Sequence, residues 1–344
     1  MSTFRVKSIV FNPGPDEHAL KLTAKCYSPG TNNPNGLTLS CAHGTGIDVP
    51  FVGRTPGTDS IFKMHENTNC GFSLREVWSV DWQSHGLRAV VNEATLSDRP
   101  ADRPAVSVVE WAEAIAEFIQ SPHLRGHHIV GIGHSAGSSA PNDPKFASAN
   151  RVVCRSHNCR AGDVPQCSQD FYRDYGEERN SALSTAIMIV NARRTTWPNR
   201  DEAFSYMKLN FIWKGWDARV LRTYVDYGMH DLPGSDGVVI STKKEQEISA
   251  YTNVPPHLEA VDLYRRIVPW VPVHFIFGAR NDLVPPEAQD SIFDPGNNIQ
   301  ASSIQCVHRA GHMVLQEKPD GLAVAICKVL AQIKPRGVEL ASKL

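Results

Sequence analysis

Residues 127–137 read HHIVGIGHSAG, a short apolar run that passes directly into Gly133-His134-Ser135-Ala136-Gly137. A G-x-S-x-G sequence of this kind predicts a buried strand that reverses sharply into a helix, with the serine held in a cramped backbone conformation that projects its hydroxyl into a cleft. The flanking glycines fit because a β-carbon at either position would meet the neighbouring strand or helix. The pattern therefore predicts a nucleophile elbow at Ser135, and the alternative is an ordinary glycine-rich turn.

A second glycine-rich turn lies upstream, where a strand predicted over 37–42 runs into His43-Gly44-Thr45-Gly46. Small residues leave main-chain N–H groups uncovered, and such groups can stabilise the negative oxygen that develops when a serine attacks a carbonyl. This turn lies one strand-helix-strand module before the serine. We therefore expect Gly44, Thr45 and Ala136 to supply an oxyanion hole, and the alternative is a glycine turn without this role.

Two further side chains are needed for a serine to act as a nucleophile. A histidine must accept the proton of the hydroxyl, and a carboxylate must orient and stabilise the imidazolium that results. Asp282 and His312 follow Ser135 in that order, and each lies just beyond a predicted strand, at 271–278 and 304–307. Since strand ends meet at one rim of a parallel sheet, the three side chains are predicted to converge as nucleophile, acid and base.

The acid and the base each have a competitor in the sequence. His308 is the competing base, but it lies too close to the strand end and lacks the small residues that would let His312 bend into the cleft. Asp163 is the alternative acid, because it lies roughly where the next strand would end. Asp282 is favoured because the strand in front of it is far clearer.

Length, composition and charge restrict the class of protein. The chain has 344 residues, of which 41% are hydrophobic, enough for one large α/β domain with insertions or for two modest domains. A formal net charge of -1 and the lack of a long basic block argue against nucleic acid and against an anionic membrane surface. The longest nearly apolar run, 268–278, is too short to cross a bilayer. We expect a small-molecule substrate, no cofactor and no membrane span.

The cysteines raise the question of a metal site. Eight of them are scattered along a chain that begins without a secretory signal, so free thiols in a reducing compartment are expected. Cys154, His157, Cys159 and Cys167 lie close together in sequence, but their spacing matches no standard zinc knuckle. His157 and Cys159 also alternate too tightly for easy tetrahedral closure. We therefore predict no metal site.

The order of the predicted elements indicates the fold class and its organisation. Alternating strands and helices are typical of an α/β fold with a mainly parallel central sheet flanked by helices on both faces. Residues 1–170 and 266–344 are expected to form this core, and 171–265 a helical cap inserted into it. The helices are predicted over 103–120, 181–194, 201–216 and 318–334.

The sequence ends in Ser342-Lys343-Leu344, the tripeptide that the peroxisomal import receptor reads as an address. Three specified residues at one fixed place seldom coincide by chance. We therefore expect a protein of the peroxisomal matrix, with the import receptor as a partner. The alternative is a chance ending that no receptor reads.

Six stretches carry a resemblance to a known family: HGTG at 43–46, EVWSVDWQSHG at 76–86, GIGHSAGSSA at 131–140, VPVHFIFGARNDLVPPE at 271–287, RAGHMVLQEKP at 309–319 and the terminal SKL. With them the chain resembles the fungal peroxisomal α/β-hydrolases of secondary metabolism, in particular those of AF-type and AK-type host-selective toxin biosynthesis. It is similar also to peroxisomal acyl-CoA hydrolases. The resemblance implies an α/β-hydrolase fold and a serine hydrolase for an ester or acyl-CoA thioester, such as the decatrienoic acyl intermediate of these toxins.

Two segments, residues 47–73 and 141–168, depart from that resemblance. The first has no sustained helical period where a helix is expected, and Pro141 and Pro144 interrupt the helix that should follow Ser135. Either segment can be a lineage-specific replacement, or the product of altered splicing or a shifted reading frame. The alternative function is therefore a catalytically degenerate protein that binds an acyl ligand or a biosynthetic partner.

Overall fold

The computed structural model describes residues 4–13, 19–30, 33–46, 56–66, 70–101, 103–142, 150–154, 176–280, 282 and 299–333. Several residues singled out in the sequence lie outside these ranges, namely the alternative acid Asp163, then His157, Cys159 and Cys167, and finally Ser342, Lys343 and Leu344. What was predicted for them stays a prediction.

The strands are β1 (Phe4–Phe11), β2 (Leu22–Pro29), β3 (Leu37–Ala42), β4 (Leu74–Val80), β5 (His128–His134), β6 (Asn150–Cys154), β7 (Thr196–Trp197), β8 (Met229–Asp231), β9 (Val238–Ile240), β10 (Val273–Gly278) and β11 (Ser303–Val307). Within the described residues, eight of them form the central sheet in the order β1-β2-β4-β3-β5-β6-β10-β11. β2 is antiparallel to both of its neighbours, and the pairs from β4 to β11 are parallel. The turns after β3, β5, β10 and β11 therefore lie at the same edge of the sheet.

The strands in the middle of the sheet are mostly apolar and are buried on both faces. β3 and β10 are buried at every position, and β5 at all positions but its first. A largely apolar composition of this kind is typical of parallel strands with helices on both sides. The strands predicted over 37–42, 271–278 and 304–307 are confirmed to within two residues at either end.

The helices are α1 (Pro56–Glu66), α2 (Gly86–Val91), α3 (Glu93–Ser97), α4 (Val108–Gln120), α5 (Gly176–Ala192), α6 (Arg200–Leu209), α7 (Ala218–Tyr227), α8 (Lys244–Thr252), α9 (Pro255–Ile267), α10 (Val314–Glu317) and α11 (Pro319–Leu330). α1 and α11 pack on each other over one face of the central sheet. α4 covers the other face, where Trp111 and Phe118 are fully buried. The predicted α/β fold with helices on both faces is confirmed.

The predicted start of the helix over 103–120 is wrong. α4 begins at Val108, because the Ser107 side chain accepts a hydrogen bond from the Glu110 main-chain N–H while the Glu110 carboxylate accepts one from the Ser107 N–H. This capping box satisfies main-chain donors that have no partner inside the helix. The serine therefore fixes the helix start.

The segment 47–73 contains a helix that its sequence pattern did not indicate. In α1 the buried positions are Pro56, Thr58, Ile61 and Phe62, so a proline and a threonine occupy two of the positions where a helical pattern has apolar residues. The apolar period is consequently short although the helix packs on the core through Ile61 and Phe62. Over α1, the segment therefore differs from the expected pattern in its residue types, although it is helical.

The segment after Ser135 is a 3₁₀ helix over Ser135–Asn142. An α-helix of three turns would place Pro141 in its interior, where the ring removes a hydrogen bond and clashes with the preceding turn. The described residues instead form a 3₁₀ helix, a tighter form that occurs in short pieces. The irregularity that Pro141 predicts is therefore present, and the chain still continues as a helix beyond the serine.

The segment predicted as a helical cap, 171–265, contains the helices α5 to α9 and also a small antiparallel sheet in the order β7-β9-β8. The prediction missed this sheet, because strands of two or three residues are too short to show an alternating pattern. The helix predicted over 201–216 also ends early, at Leu209, where Asn210 terminates it. α9 packs on α4 and on the 3₁₀ helix of the core. The division into core and cap remains a proposal.

No helix in the part of the chain that the structure describes combines the length and the apolar character needed to cross a membrane.

Candidate active site

Ser135 lies at the sharp turn between β5 and the 3₁₀ helix. Its φ angle is 54°, in the left-handed region that a residue with a side chain seldom adopts. β-carbons added to the flanking glycines would collide with the main chain, at Gly137 and Ser138 in the case of Gly133 and at Ala42 and His43 in the case of Gly137. The strained backbone at Ser135 and these close approaches are the geometry of a nucleophile elbow.

His312 lies just after β11 and reaches the serine. Its Nε2 atom is 3.0 Å from Ser135 Oγ, within hydrogen-bond distance, and only 8% of the residue is exposed. The competing base His308 is exposed at the surface. The structure thus brings His312 and Ser135 together across the ends of β5 and β11.

Asp282 lies after β10 and contacts the main chain of His312. Its Oδ1 atom accepts a hydrogen bond of 2.8 Å from the His312 main-chain N–H. A β-carbon on Gly311 would collide with the Asp282 carboxylate, so the glycine allows the close approach. The structure therefore places Asp282 beside His312, whereas its predicted role as the acid that holds the imidazole stays a prediction.

Arg280 and Glu317 extend this cluster, although no pattern in the sequence indicates a role for them. Arg280 Nη2 donates to Asp282 Oδ2 at 3.2 Å and to both carboxylate oxygens of Glu317 at 2.9 Å. Partial burial lowers the pKa of the Arg280 guanidinium. The nearby carboxylates of Glu317 and Asp282 have the larger combined effect, so the pKa is raised above its usual value. Glu317 also accepts a hydrogen bond of 3.0 Å from the Gly311 N–H. The pair therefore holds the turn that carries His312.

The His43–Gly46 turn lies directly against the serine. A β-carbon on Gly44 would be 3.1 Å from Ser135 Cβ, so only a glycine leaves ordinary space there. His43 is buried; its Nε2 accepts the Trp82 main-chain N–H at 3.1 Å, so its Nδ1, 2.8 Å from the Gly44 carbonyl oxygen, is the donor. The turn is thus held by its own histidine in one tautomer, next to Ser135.

His85, in the polar loop after β4, holds the same turn from the side. Its Nε2 lies 2.9 Å from Thr45 Oγ1, and its ring stacks on Trp82 with centroids 4.4 Å apart. Burial, and then the neighbouring His43, lower the pKa of His85 well below its usual value. His85 is therefore a neutral hydrogen-bonding partner for Thr45.

His134, the residue before Ser135, contacts the backbone of His312. Its Nε2–H donates to the His312 carbonyl oxygen at 2.9 Å. Burial, and then the charge of His312, lower the pKa of His134 to about 3, although the hydrogen bond to His312 acts in the opposite direction. The ring is therefore neutral near pH 7 and fixes the His312 backbone without adding charge to the site.

Within the described residues, no group of three or more histidine, cysteine, aspartate or glutamate side chains is placed to hold a metal ion. The chemistry available at the described site is that of a serine, a histidine and main-chain N–H groups. This combination is suited to attack on a carbonyl carbon.

The contact at Gly137 leads to a testable expectation. Gly137→Ala should lower the free energy of unfolding by about 1–3 kcal/mol, because overpacking forces β3 and the elbow apart. It should lower kcat about 100-fold, because the serine moves relative to the turn at Gly44. Urea titration and steady-state kinetics measure the two effects. Gly215→Ala, a glycine with open space around it, is the matched control and should change neither; equal effects in both variants would contradict the steric argument.

The sequence pattern of the alpha/beta hydrolase family matches residues 41–325, which is most of the chain. This range includes the glycine turn, the elbow and His312. Fold, site and family pattern agree, and the chain belongs to the alpha/beta hydrolase family.

Solved structures with the same fold include several hydrolases. The peroxisomal alpha-beta-hydrolase Lpx1 from Saccharomyces cerevisiae is 17% identical with a TM-score of 0.63, over 96% of this chain and 89% of that one. E-2-(acetamidomethylene)succinate hydrolase is 17% identical with a TM-score of 0.60, over 95% and 98%. The thioesterase domain from the curacin biosynthetic pathway is 13% identical with a TM-score of 0.59, over 95% and 99%. A comparison with curated proteins gives no match. At these identities the likeness establishes the fold.

Proposed function

We propose that the protein is a serine hydrolase that cleaves an ester or an acyl-CoA thioester. The observation that supports this best is the 3.0 Å separation of Ser135 Oγ and His312 Nε2 at a strained elbow. A hydroxyl at that distance can pass its proton to the imidazole as it attacks. A serine at the elbow also argues against hydrolases that use a carboxylate nucleophile there.

The reaction runs in two halves. Ser135 Oγ attacks the carbonyl carbon while His312 Nε2 takes the proton, and the main-chain N–H groups of Ala136 and of the Gly44–Thr45 turn stabilise the oxyanion. The tetrahedral species then expels the alcohol or thiol, which receives the proton from His312. A water, deprotonated by His312, attacks the acyl-serine and releases the carboxylic acid, and the proton returns to Ser135.

Asp282 is the proposed acid of this site. Its carboxylate already lies against the His312 backbone and is held by Arg280, so it stands where it can orient the imidazole and stabilise its positive charge. Oδ1 of Asp282 accepts from the His312 main-chain N–H, and Arg280 donates to Oδ2. Arg280 and Glu317 therefore act as positioning residues for the acid.

The substrate class and the location are the finer part of the proposal. A thioesterase and a peroxisomal hydrolase are among the proteins of similar fold. The family resemblance implies a medium-length acyl group, such as the decatrienoic acyl moiety of a host-selective toxin, which water would release from coenzyme A. The terminal tripeptide, as predicted, would bring the protein to the peroxisome through the import receptor.

A fluorophosphonate probe tests the proposed function directly. We expect the wild-type protein to be labelled at Ser135, because the probe requires an activated serine, and we expect Ser135→Ala to be unlabelled. A separate sample of unlabelled wild-type protein is then assayed with acyl-CoA thioesters and simple esters of matched chain length. Well-folded protein that takes up no label would contradict the proposal.

A second candidate function is a degenerate hydrolase that binds an acyl ligand. The 3₁₀ helix over Ser135–Asn142 favours it, since 3₁₀ hydrogen bonds have poorer geometry than those of an α-helix and support the serine less well. The two candidates differ in the probe experiment, because binding alone would leave Ser135 unlabelled while the acyl ligand still protects the fold against heat.

A further inference from the structure

A buried ion pair in the segment 171–265 lies directly on the His43–Gly46 turn. This turn, whose N–H groups are proposed to stabilise the oxyanion, is called the oxyanion turn below. Arg193, just after α5, donates through Nη2 to Glu247 Oε2 on α8 at 2.6 Å, and both side chains are only 6% exposed. A buried charge is costly unless it is paired, so the two side chains hold each other in one place. The pair therefore holds Arg193 and the start of α8 in a defined position relative to each other.

Gly46, the last residue of the HGTG turn, is where this pair meets the core. Its φ angle is +67°, and a β-carbon at this position would collide with the Glu247 carboxylate. The glycine thus permits both the left-handed backbone and the close approach of the carboxylate. Any displacement of Glu247 changes the packing against Gly46, one residue from Thr45.

A second connection joins the same segment to the other side of the turn. Thr242 Oγ1, just before α8, accepts a hydrogen bond of 2.9 Å from the Gly86 main-chain N–H. Gly86 follows His85, whose ring is hydrogen-bonded to Thr45 Oγ1. The stretch 242–247 therefore contacts both loops that position the Gly44–Thr45 main chain.

We propose that Arg193 and Glu247 are positioning residues for the oxyanion turn, so that the stretch 242–247 helps to align the N–H groups that stabilise the transition state. This inference rests on the proposed function. Transition-state stabilisation by such N–H groups depends on their being fixed before the reaction, and a small misplacement lowers the rate steeply.

The test compares Glu247→Ala, Glu247→Gln and Glu93→Gln. The last is the matched control, because Glu93 also pairs with a residue of the same stretch, Lys243 at 2.9 Å, but both of these side chains are more than half exposed. Rates are measured per serine titrated with the fluorophosphonate probe, so that misfolded protein does not count. Amide hydrogen exchange of the peptide that spans 43–46 is measured in parallel.

For Glu247→Ala we expect kcat to fall by about 10- to 100-fold with KM changed less than about twofold, and amide exchange at 43–46 to accelerate. Glu247→Gln keeps the bulk against Gly46 and should recover part of kcat, while Glu93→Gln should match the wild type in both measurements. An unchanged kcat per titrated serine together with unchanged exchange at 43–46 would overturn the inference. If the wild type proves no more active than Ser135→Ala, the proposed function fails instead, and the exchange measurement alone decides whether the pair holds the turn.

Discussion

Ser135→Ala is expected to lower kcat/KM for an activated ester by about a millionfold, the loss that removal of a catalytic serine causes in comparable enzymes. Ser135 Oγ is the proposed nucleophile that would form the covalent intermediate. The nearby Ser138 is not expected to replace it, because its hydroxyl donates to the Ser135 carbonyl oxygen at 2.6 Å. The small remaining rate reflects binding and the oxyanion turn alone. Steady-state kinetics with a chromogenic ester, measured on protein checked for folding, give the ratio.

The controls for this expectation use the histidines. His312→Ala should lose about as much as Ser135→Ala, and the double variant should lose no more than either, because the two groups act as one unit. His308→Ala, which removes an exposed histidine of the same turn, should keep the wild-type rate. Independent, multiplying losses in the double variant would contradict the assignment of His312 as the base of Ser135.

Asp282→Asn is the second large effect, with an expected loss in kcat/KM of about 10⁴-fold. The amide keeps the size of the carboxylate, so the contact with the His312 backbone can be kept. It loses the negative charge that would stabilise the imidazolium, and it favours the wrong tautomer of the ring. The same kinetic assay measures the loss, with the thermal midpoint as a check on folding.

Asp163→Asn is the comparison that decides between the two candidate acids. Asp163 lies outside the described residues, so the choice rests on the position of Asp282 beside His312. We expect Asp163→Asn to retain full activity. Full activity in Asp282→Asn, with the loss in Asp163→Asn instead, would transfer the role of the acid.

The central sheet could be predicted from the sequence because strands that are buried on both faces consist mostly of apolar residues. β3, β5 and β10 are mostly apolar and almost wholly buried, and each ends in a glycine turn or a polar loop. α1 was missed because Pro56 and Thr58 occupy buried positions, and the early start predicted for α4 overlooked the capping box at Ser107. Packing determines the buried positions of α1, and local hydrogen bonds determine the start of α4. Hydrophobic periodicity in the sequence indicates neither.

The site was predictable to the extent that chain order and strand ends determine it. Ser135 and His312 follow from the order of residues after parallel strands, and the structure places them in contact. Arg280, Glu317 and Glu247 could not be found in this way, since a charged residue in a sequence is usually a solvated one. Their importance comes from partners that are distant in the chain and from burial, which only the folded structure shows.

Ser135 and His312 are 177 positions apart in the chain, and this separation has a consequence for biosynthesis. Contacts between such distant parts of a chain form late, because the intervening segments must be ordered first. A nascent chain that has emerged only as far as β10 would contain the strained serine but no base. Hydrolytic activity is therefore expected to appear only when β11 has joined the sheet and the turn after it has formed. The onset of activity during synthesis would then indicate that folding of the sheet is complete.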